Sequence, residues 1–253
     1  MAFLERLARE LFDEALEHVP QAQASSGHRW LWTPIVRAQR EPGRGDRPAD
    51  PYRMPAPFLG RVANPEVLVI GQNPNVAPAD ALHPRIGQCS LDTYTDFFGS
   101  YFKYRRDGRP VDRLVECPAQ GPGTRKQRHY GHVEDLLGPA LGAAALGPRA
   151  VYADAIPWAT SSLNGGLLTR AVAPHARERV LRLVAHLQPR AVLLLGRAPA
   201  RLVGGSDARP DRIGDVPCLQ VVAPNGVRKR GLKAEQVELV TRFIAATLAS
   251  PGC

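Results

Sequence analysis

Four short apolar runs lie between residues 67 and 223. They are VLVI (67–70), AVYADAI (150–156), AVLLLG (191–196) and CLQVVA (218–223). Apolar runs of this length, bounded by polar or Gly-containing turns, are typical of strands that are buried on both faces of a sheet. The pattern therefore predicts four short strands.

Stretches with apolar residues at helical spacing lie between and around these runs. The clearest is HARERVLRLVAHLQ, with Pro174 near its predicted start, and a short helix is predicted directly after the third strand. The other predicted helices span residues 1–18, 91–104, about 131–146 and 233–249.

Strands that alternate with helices predict an α/β fold, in which a parallel sheet is covered on both faces as a three-layer α/β/α sandwich. We interpret residues 1–253 as one domain, with an N-terminal helix and a long surface excursion over 1–63 and an α/β core over 64–250. Residues 19–63 are rich in Gln, Arg, Gly and Pro, and residues 105–129 form a basic Pro/Gly-rich stretch that predicts a loop.

Length and hydropathy bound the class of protein. A chain of 253 residues can bury a substantial core. No run of 18 apolar residues is present, and the N-terminus mixes acidic and basic residues without a signal-peptide core, so neither a membrane span nor secretion is predicted. We expect a cytoplasmic, nucleoid-associated bacterial protein.

The charge balance favours an anionic partner. The net charge is +9, and only four of the 33 basic residues are lysine. Arginine forks suit phosphate groups, so nucleic acid is the first candidate. A GC-biased genome would also produce a chain rich in Ala, Gly, Arg and Pro, and this alternative stays open.

Metal and nucleotide cofactors are not expected. Cysteines stand at 89, 117, 218 and 253, without a CxxC pair and without histidines at metal-ligand spacing. They predict reduced thiols rather than a disulfide, a zinc site or an iron–sulfur cluster. The absence of a P-loop and of a GxGxxG motif argues against ATP or a dinucleotide.

Polar residues follow each predicted strand. GQNPN comes after the first, IPWATSSLN after Asp154 of the second, GRAPARL after the third and APNGVRKRG after the fourth. Parallel sheets bind ligands at the carboxyl ends of their strands. These polar residues are therefore expected to converge on one rim.

This set of strand ends resembles the uracil-DNA glycosylase superfamily. GQNPN (71–75) is similar to the first motif of that family, which reads GQDPY, GINPG or GMNPG in its branches. APNGV (223–227) stands in the place of the second motif, HPSPL or NPSGL, and residues 189–202 resemble its LG-x-x-A strand and helix. The resemblance covers residues 60–250 and implies a four-stranded parallel sheet, hydrolysis of the N-glycosidic bond of uracil or a related base in DNA, and no cofactor.

The resemblance assigns roles to the first motif, which begins at Gly71. Asn73 matches the position that orients the attacking water, although an amide is a poor base. Gln72 would face the base, Pro74 would stiffen the turn, and Asn75 replaces a tyrosine that excludes the thymine methyl group in some branches. Asn73 could instead cap its own turn.

Asp154 departs from the family, which usually places Asn at the end of the second strand. An amide can accept from N3–H and donate to O4 of uracil, whereas an ionised carboxylate only accepts. Asp154 could be protonated by burial, could read a base with a different donor, or could activate the water that Asn73 only orients. It could also cap a turn.

The second motif departs as well. Ala223 replaces the histidine that supports negative charge on the leaving base, and Asn225 could supply a donor in its place. Val227 matches the wedge that fills the gap left by a flipped base. The basic cluster that would grip flanking phosphates, or would form a solvated loop, is Arg228, Lys229 and Arg230.

An aromatic ring is expected to stack on the flipped base. The candidates are Tyr94, Phe97, Phe98 and Trp158, most of which are expected to pack in the core. His83 and His129 are expected at the surface or as caps rather than as catalytic groups.

The sequence thus predicts a monomeric, monofunctional DNA glycosylase that flips a deaminated base, uracil first, and leaves an abasic site. No lysine is placed for a Schiff base, so strand cleavage is not expected. The alternatives are a glycosylase for hypoxanthine, xanthine or another modified base, a non-catalytic DNA-binding protein on the same fold, and a nucleotide hydrolase.

Overall fold

A computed structural model describes residues 2–17, 56, 58–60, 64–72, 90–92, 94–96, 125–157, 166–204, 210–222 and 234–249. The elements in chain order are α1 (Ala2–Glu17), β1 (Val67–Gly71), α2 (Arg125–Leu141), β2 (Ala150–Asp154), α3 (Gly166–Leu187), β3 (Ala191–Leu195), α4 (Arg197–Gly204), β4 (Arg212–Ile213), β5 (Val216–Val221) and α5 (Ala234–Ala249). Within these ranges, every helix is too short or too polar to cross a membrane.

The fold is α/β, built on one mixed sheet with the strand order β2-β1-β3-β5-β4. β1 pairs in parallel with β2 and β3, and β3 pairs in parallel with β5. The four predicted strands are therefore present and parallel. The predicted strand count of four is wrong, because β4 adds a fifth, antiparallel strand at the edge. A strand of two residues is too short to show an alternating hydrophobic pattern in the sequence. β4 is defined only by its pairing with β5.

The helices form two packed groups. α2 packs against α5, and α3 packs against α4. The connection β1–α2–β2 runs in one direction along the sheet, and β2–α3–β3 runs in the other.

The three inner strands supply the centre of the core. Every residue of β1, β2 and β3 is buried. Leu68 and Ile70 are completely shielded from solvent, and burial of each such side chain contributes about 1.5–3 kcal/mol. An apolar run without alternation is what burial on both faces requires.

A second segment covers the outer edge of β2. Leu59 exchanges two backbone hydrogen bonds with Tyr152, with N···O distances of 2.6 and 3.0 Å, and Ala56 N–H donates to the Pro157 carbonyl oxygen at 2.8 Å. Gly60 has φ +95°, and a Cβ there would lie 2.9 Å from the Cα atom of Gly147. The described end of the predicted surface excursion, residues 56 and 58–60, thus packs against the sheet.

Two helices begin earlier than the sequence predicts. α2 begins at Arg125 rather than at 131, so the loop predicted for 105–129 is wrong at its last five residues. α3 begins at Gly166, and Pro174 lies inside it rather than near its start. An internal proline removes one helical hydrogen bond, which favours placing it in the first turn.

The N-terminal helix packs on the core through one face. Its buried side chains are Leu7, Ala8, Leu11 and Phe12. The Phe12 ring contacts Tyr94, with centroids 5.5 Å apart, and Glu10 accepts from Arg182 of α3 at 2.8 Å. Residues 91, 92 and 94–96 are helical, as predicted, and the rest of 91–104 lies outside the described residues.

An ion pair closes the amino-terminal edge of the sheet. Arg149 donates from Nε and Nη2 to the two carboxylate oxygens of Glu66, both at 2.6 Å, and from Nη1 to the Leu141 carbonyl oxygen. The hydrogen bond to Glu66, together with its charge, raises the pKa of Arg149 against the lowering effect of desolvation. The Arg149 guanidinium therefore stays protonated throughout the neutral range.

Arg149→Met is expected to lower the free energy of unfolding by about 0.5–1 kcal/mol, because the paired side chains are partly exposed and solvent screens them. Urea denaturation measures the change. Arg242→Met is the matched control, since Arg242 meets Glu238 at only 3.8 Å on the exposed face of α5. Equal stability of the two variants would contradict a stabilising role for the Arg149–Glu66 pair.

Candidate functional site

The carboxyl ends of the parallel strands lie on one rim. Gly71 at the end of β1 is paired with Asp154 at the end of β2. Backbone pairing continues past both strands, because Ala155 N–H donates to the Gly71 carbonyl oxygen and Ile156 N–H to that of Gln72, each at 2.9 Å. The rim beside β1 and β2 is therefore held by regular hydrogen bonds up to Gln72.

The turn after β3 lies at the carboxyl end of its strand. Gly196, with φ +99°, turns the chain from β3 into α4 there.

Asp154 is a buried acid at this rim, with 4% of its surface exposed. The Tyr152 hydroxyl donates to Asp154 Oδ1 at 3.1 Å. Residues two apart on a strand share one face of the sheet, which brings these two side chains together. A hydrogen bond donated to a carboxylate favours its charged form and offsets part of the cost of burial.

His129 extends this contact. Its Nε2 atom lies 3.2 Å from the Tyr152 hydroxyl oxygen, and its ring meets Tyr152 edge-on at a centroid distance of 5.8 Å. Tyr130 packs edge-on against both rings, at 5.2 Å from each. His129 is half-buried against the sheet, which the sequence did not indicate.

Gly71 leaves the space that the acid and the phenol occupy. A Cβ at this position would overlap the Tyr152 hydroxyl oxygen and Asp154 Oδ1, and it would lie 2.9 Å from the Tyr152 Cζ atom. The first residue of the GQNPN motif is therefore glycine because a side chain would collide with the polar group on the neighbouring strand.

Arg179 is a second buried charged residue, with 5% of its surface exposed. Its Nε atom donates to the Asp154 backbone oxygen at 3.3 Å, and Nη2 donates to the Ala56 backbone oxygen at 3.5 Å. Arg179 thus ties α3 and the segment at residue 56 to the end of β2. The signal for it was its spacing, since it lies three residues after the buried Ala176 on the apolar face of α3.

Gln220 is a polar side chain near the carboxyl end of β5, and its Oε1 atom is buried without a hydrogen-bond partner. It pairs with Leu194, which lies in the same row of the sheet as Ile70 and Ala153. Because side chains alternate along strands, Gln220 lies on the face opposite to Asp154. It is not part of the Asp154 cluster.

The predicted site residues fall into three groups. Gly71, Gln72 and Asp154 meet at the rim, as their positions after β1 and at the end of β2 predict. Tyr94 is fully buried against Phe12, which is a core position. The predictions that lie outside the described residues are Asn73, Pro74, Asn75, Phe97, Phe98, Trp158, Ala223, Asn225, Val227, Arg228, Lys229 and Arg230.

A metal has no evident place among the described residues, because no three side chains of His, Cys, Asp or Glu lie close enough together there to hold one. The chemistry that the described rim offers is that of a buried carboxylate with an ordered hydroxyl and imidazole behind it. Such a group can accept a proton or a hydrogen bond.

The described molecule is thus an α/β protein with a polar site at the carboxyl ends of its parallel strands. Comparison of the sequence with protein-family models found no match, and comparison with curated proteins also found none.

Proposed function

We propose that this protein is a monofunctional DNA glycosylase of the uracil-DNA glycosylase superfamily, with a three-layer α/β/α fold. It flips uracil out of DNA, hydrolyses the N-glycosidic bond and leaves an abasic site. It acts as a monomer and uses neither a metal nor a cofactor. A flipped base exposes the bond to a positioned water, which a duplex would shield.

One observation carries this proposal. Gly71, which opens the GQNPN motif, ends the inner strand β1 directly beside Asp154 of β2, and Gln72 follows it at the same rim. The motif resemblance assigns these two strand ends to the first motif and to the base-reading position of the family. Their pairing supports the resemblance, because the two stretches are 83 positions apart in sequence.

In the proposed reaction, Asn73 orients the attacking water and Asp154 accepts its proton. The hydroxyl that Tyr152 donates to Asp154 supports a charged carboxylate rather than a protonated one. A charged Asp154 is suited to accept a proton, which the amide of Asn73 cannot do. This assignment offsets the family departure at position 154.

The basic residues after β5 complete the proposal. Arg228, Lys229 and Arg230 contact phosphates beside the flipped nucleotide, and Val227 fills the vacated space. Asn225 donates to the leaving base in place of the missing histidine. The net charge of +9 supports an anionic macromolecule as the substrate.

Single-turnover release of the base tests the proposal. Oligonucleotides that carry one uracil, hypoxanthine or xanthine are incubated with excess protein, as single strands and as duplexes. We expect uracil release by the native chain, and Asn73→Ala is expected to slow it by about 100-fold, since it removes the group that orients the water.

Asn64→Ala is the matched control, because Asn64 is exposed just before β1. It should release uracil at the native rate. Release of hypoxanthine or xanthine instead of uracil would reassign the substrate within the same class. Binding of these oligonucleotides without release of any base would replace the glycosylase with a non-catalytic DNA-binding protein.

A further inference from the structure

We propose that Tyr152 and His129 are positioning residues that hold the carboxyl group of Asp154 in its reactive orientation. This inference rests on the proposed function, since it names two residues that serve the reaction without contacting the DNA. Neither residue belongs to a motif that resembles the glycosylase family.

Three side chains lie in a row at the end of β2. His129 Nε2, the Tyr152 hydroxyl oxygen and Asp154 Oδ1 form a continuous chain, with distances of 3.2 and 3.1 Å. They come from two elements, because His129 lies on α2 and the other two lie on β2. The orientation of the Asp154 side chain therefore depends, through these two hydrogen bonds, on how α2 packs on the sheet.

The direction of each hydrogen bond follows from the atoms involved. A tyrosine hydroxyl has one hydrogen, so donation to Asp154 leaves only its lone pairs for His129. His129 must then carry a hydrogen on Nε2. Donation from the imidazole then fixes the rotation of the Tyr152 hydroxyl, so that its hydrogen points toward the carboxylate of Asp154. His129 thus acts on Asp154 through Tyr152 and not by direct contact.

The neighbouring residues leave space for these side chains and restrict their rings. Gly71 has no side chain where a Cβ would overlap both the hydroxyl and the carboxylate. Tyr130 packs edge-on against His129 and Tyr152 and restricts both rings. A phenylalanine at position 152 would satisfy the ring packing equally well, so packing does not explain the hydroxyl.

Arg179 also contacts Asp154, but it supports a different part of the residue than the Tyr152 hydroxyl does. Arg179 Nε donates to the backbone oxygen of Asp154 and not, through that bond, to its carboxylate. It therefore fixes the main chain at the end of β2. The Tyr152 hydroxyl contacts the side chain itself and restricts its χ angles, which the bond to the main chain does not do.

Tyr152→Phe is expected to lower the maximal single-turnover rate by about 10- to 100-fold, because a catalytic group displaced by a fraction of an ångström loses most of its effectiveness. The protein concentration that gives half-maximal rate should stay unchanged, since the hydroxyl does not contact DNA. Thr241→Val is the matched control, because it removes a hydroxyl that is bonded to the Val237 carbonyl oxygen within α5, and it should react at the native rate.

His129 offers a rescue experiment. His129→Phe keeps a ring for the edge-on contacts but removes Nε2, and it should slow release by about 10-fold. His129→Gln places an amide nitrogen near the position of Nε2, and it should recover most of the native rate. A structural role would give the opposite order, because Phe fills the space of the imidazole better than Gln does.

A spectroscopic readout keeps this proposal separate from the glycosylase proposal. Proton NMR of the native chain should contain a slowly exchanging hydroxyl resonance that is absent in Tyr152→Phe and shifts in Asp154→Asn. If the native chain releases no base, the glycosylase proposal fails, and the resonance alone decides whether the chain of side chains orients Asp154.

Two results would overturn the positioning role. One is base release by Tyr152→Phe at the native rate. The other is the absence of a Tyr152 hydroxyl resonance that responds to Asp154→Asn.

Discussion

Asp154→Asn is expected to slow uracil release by about 100- to 10,000-fold at saturating protein, which is the range for loss of a general base. The amide has nearly the same shape, and its oxygen can still accept from the Tyr152 hydroxyl. What it loses is the ability to take a proton from water. The effect should therefore appear in the maximal single-turnover rate and not in DNA binding.

Asp211→Asn is the matched control, because Asp211 is exposed beside β4 at the far edge of the sheet. It should leave the rate unchanged. Faster release of uracil by Asp154→Asn would contradict proton transfer and would make position 154 a reader of the base, since an amide can pair with both N3–H and O4. An unchanged rate would remove Asp154 from the site.

Gly71→Ala is expected to lower the free energy of unfolding by about 3 kcal/mol, at the upper end of what overpacking costs. The added methyl group would overlap the Tyr152 hydroxyl and the Asp154 carboxylate, and a backbone paired with β2 cannot move away from them easily. Urea denaturation measures the loss. Base release should fall with it, because the displaced groups are those that the reaction uses.

Gly138→Ala is the control for this substitution. A Cβ at Gly138 in α2 meets nothing within 4 Å, so alanine there should be neutral or should stabilise the helix by up to about 1 kcal/mol. Combining Gly71→Ala with Tyr152→Phe removes the nearest oxygen and should recover about 1 kcal/mol, as expected for two groups in contact. Additive losses would show that the collision does not cause the destabilisation.

Local patterns were sufficient to predict the sheet-forming strands. Each of the four runs, VLVI, AVYADAI, AVLLLG and CLQVVA, overlaps a strand whose ends lie within two residues of the predicted bounds. A strand buried on both faces needs a near-continuous apolar run, and such a run can be recognised in the sequence without knowing which strands lie beside it. The same reasoning placed Gly71, Gln72 and Asp154 at one rim, because the carboxyl ends of parallel strands share an edge.

Helix starts and the edge strand required the tertiary structure. α2 and α3 begin six and nine residues before their predicted starts, in stretches without a strong apolar period. α3 continues past Pro174, although proline disfavours a helix interior, so its start could not be predicted from local preference. β4 has two residues, and only its hydrogen bonds to β5 define it.

The surroundings of Asp154 were also beyond local patterns. The sequence indicated an acid at the end of β2 and left open whether it was protonated, charged or a cap. The contact with Tyr152 could have been predicted, since Tyr152 lies two residues before Asp154 on the same face of the strand. His129 and Arg179 are 25 positions away on either side along the chain. The spacing of Arg179 on the apolar face of α3 indicates burial, but it does not indicate contact with β2, and the local sequence of His129 indicates neither.

The physical reason is the range of the interactions. Burial and backbone period act between near neighbours, so the amino-acid sequence by itself determined the strands, their alternation with helices and the polar rim. The hydrogen bonds of Asp154, the space beside Gly71 and the cover of β2 by residues 56 and 58–60 join distant parts of the chain. They depend on how helices and sheet pack together, and only the tertiary structure decided them.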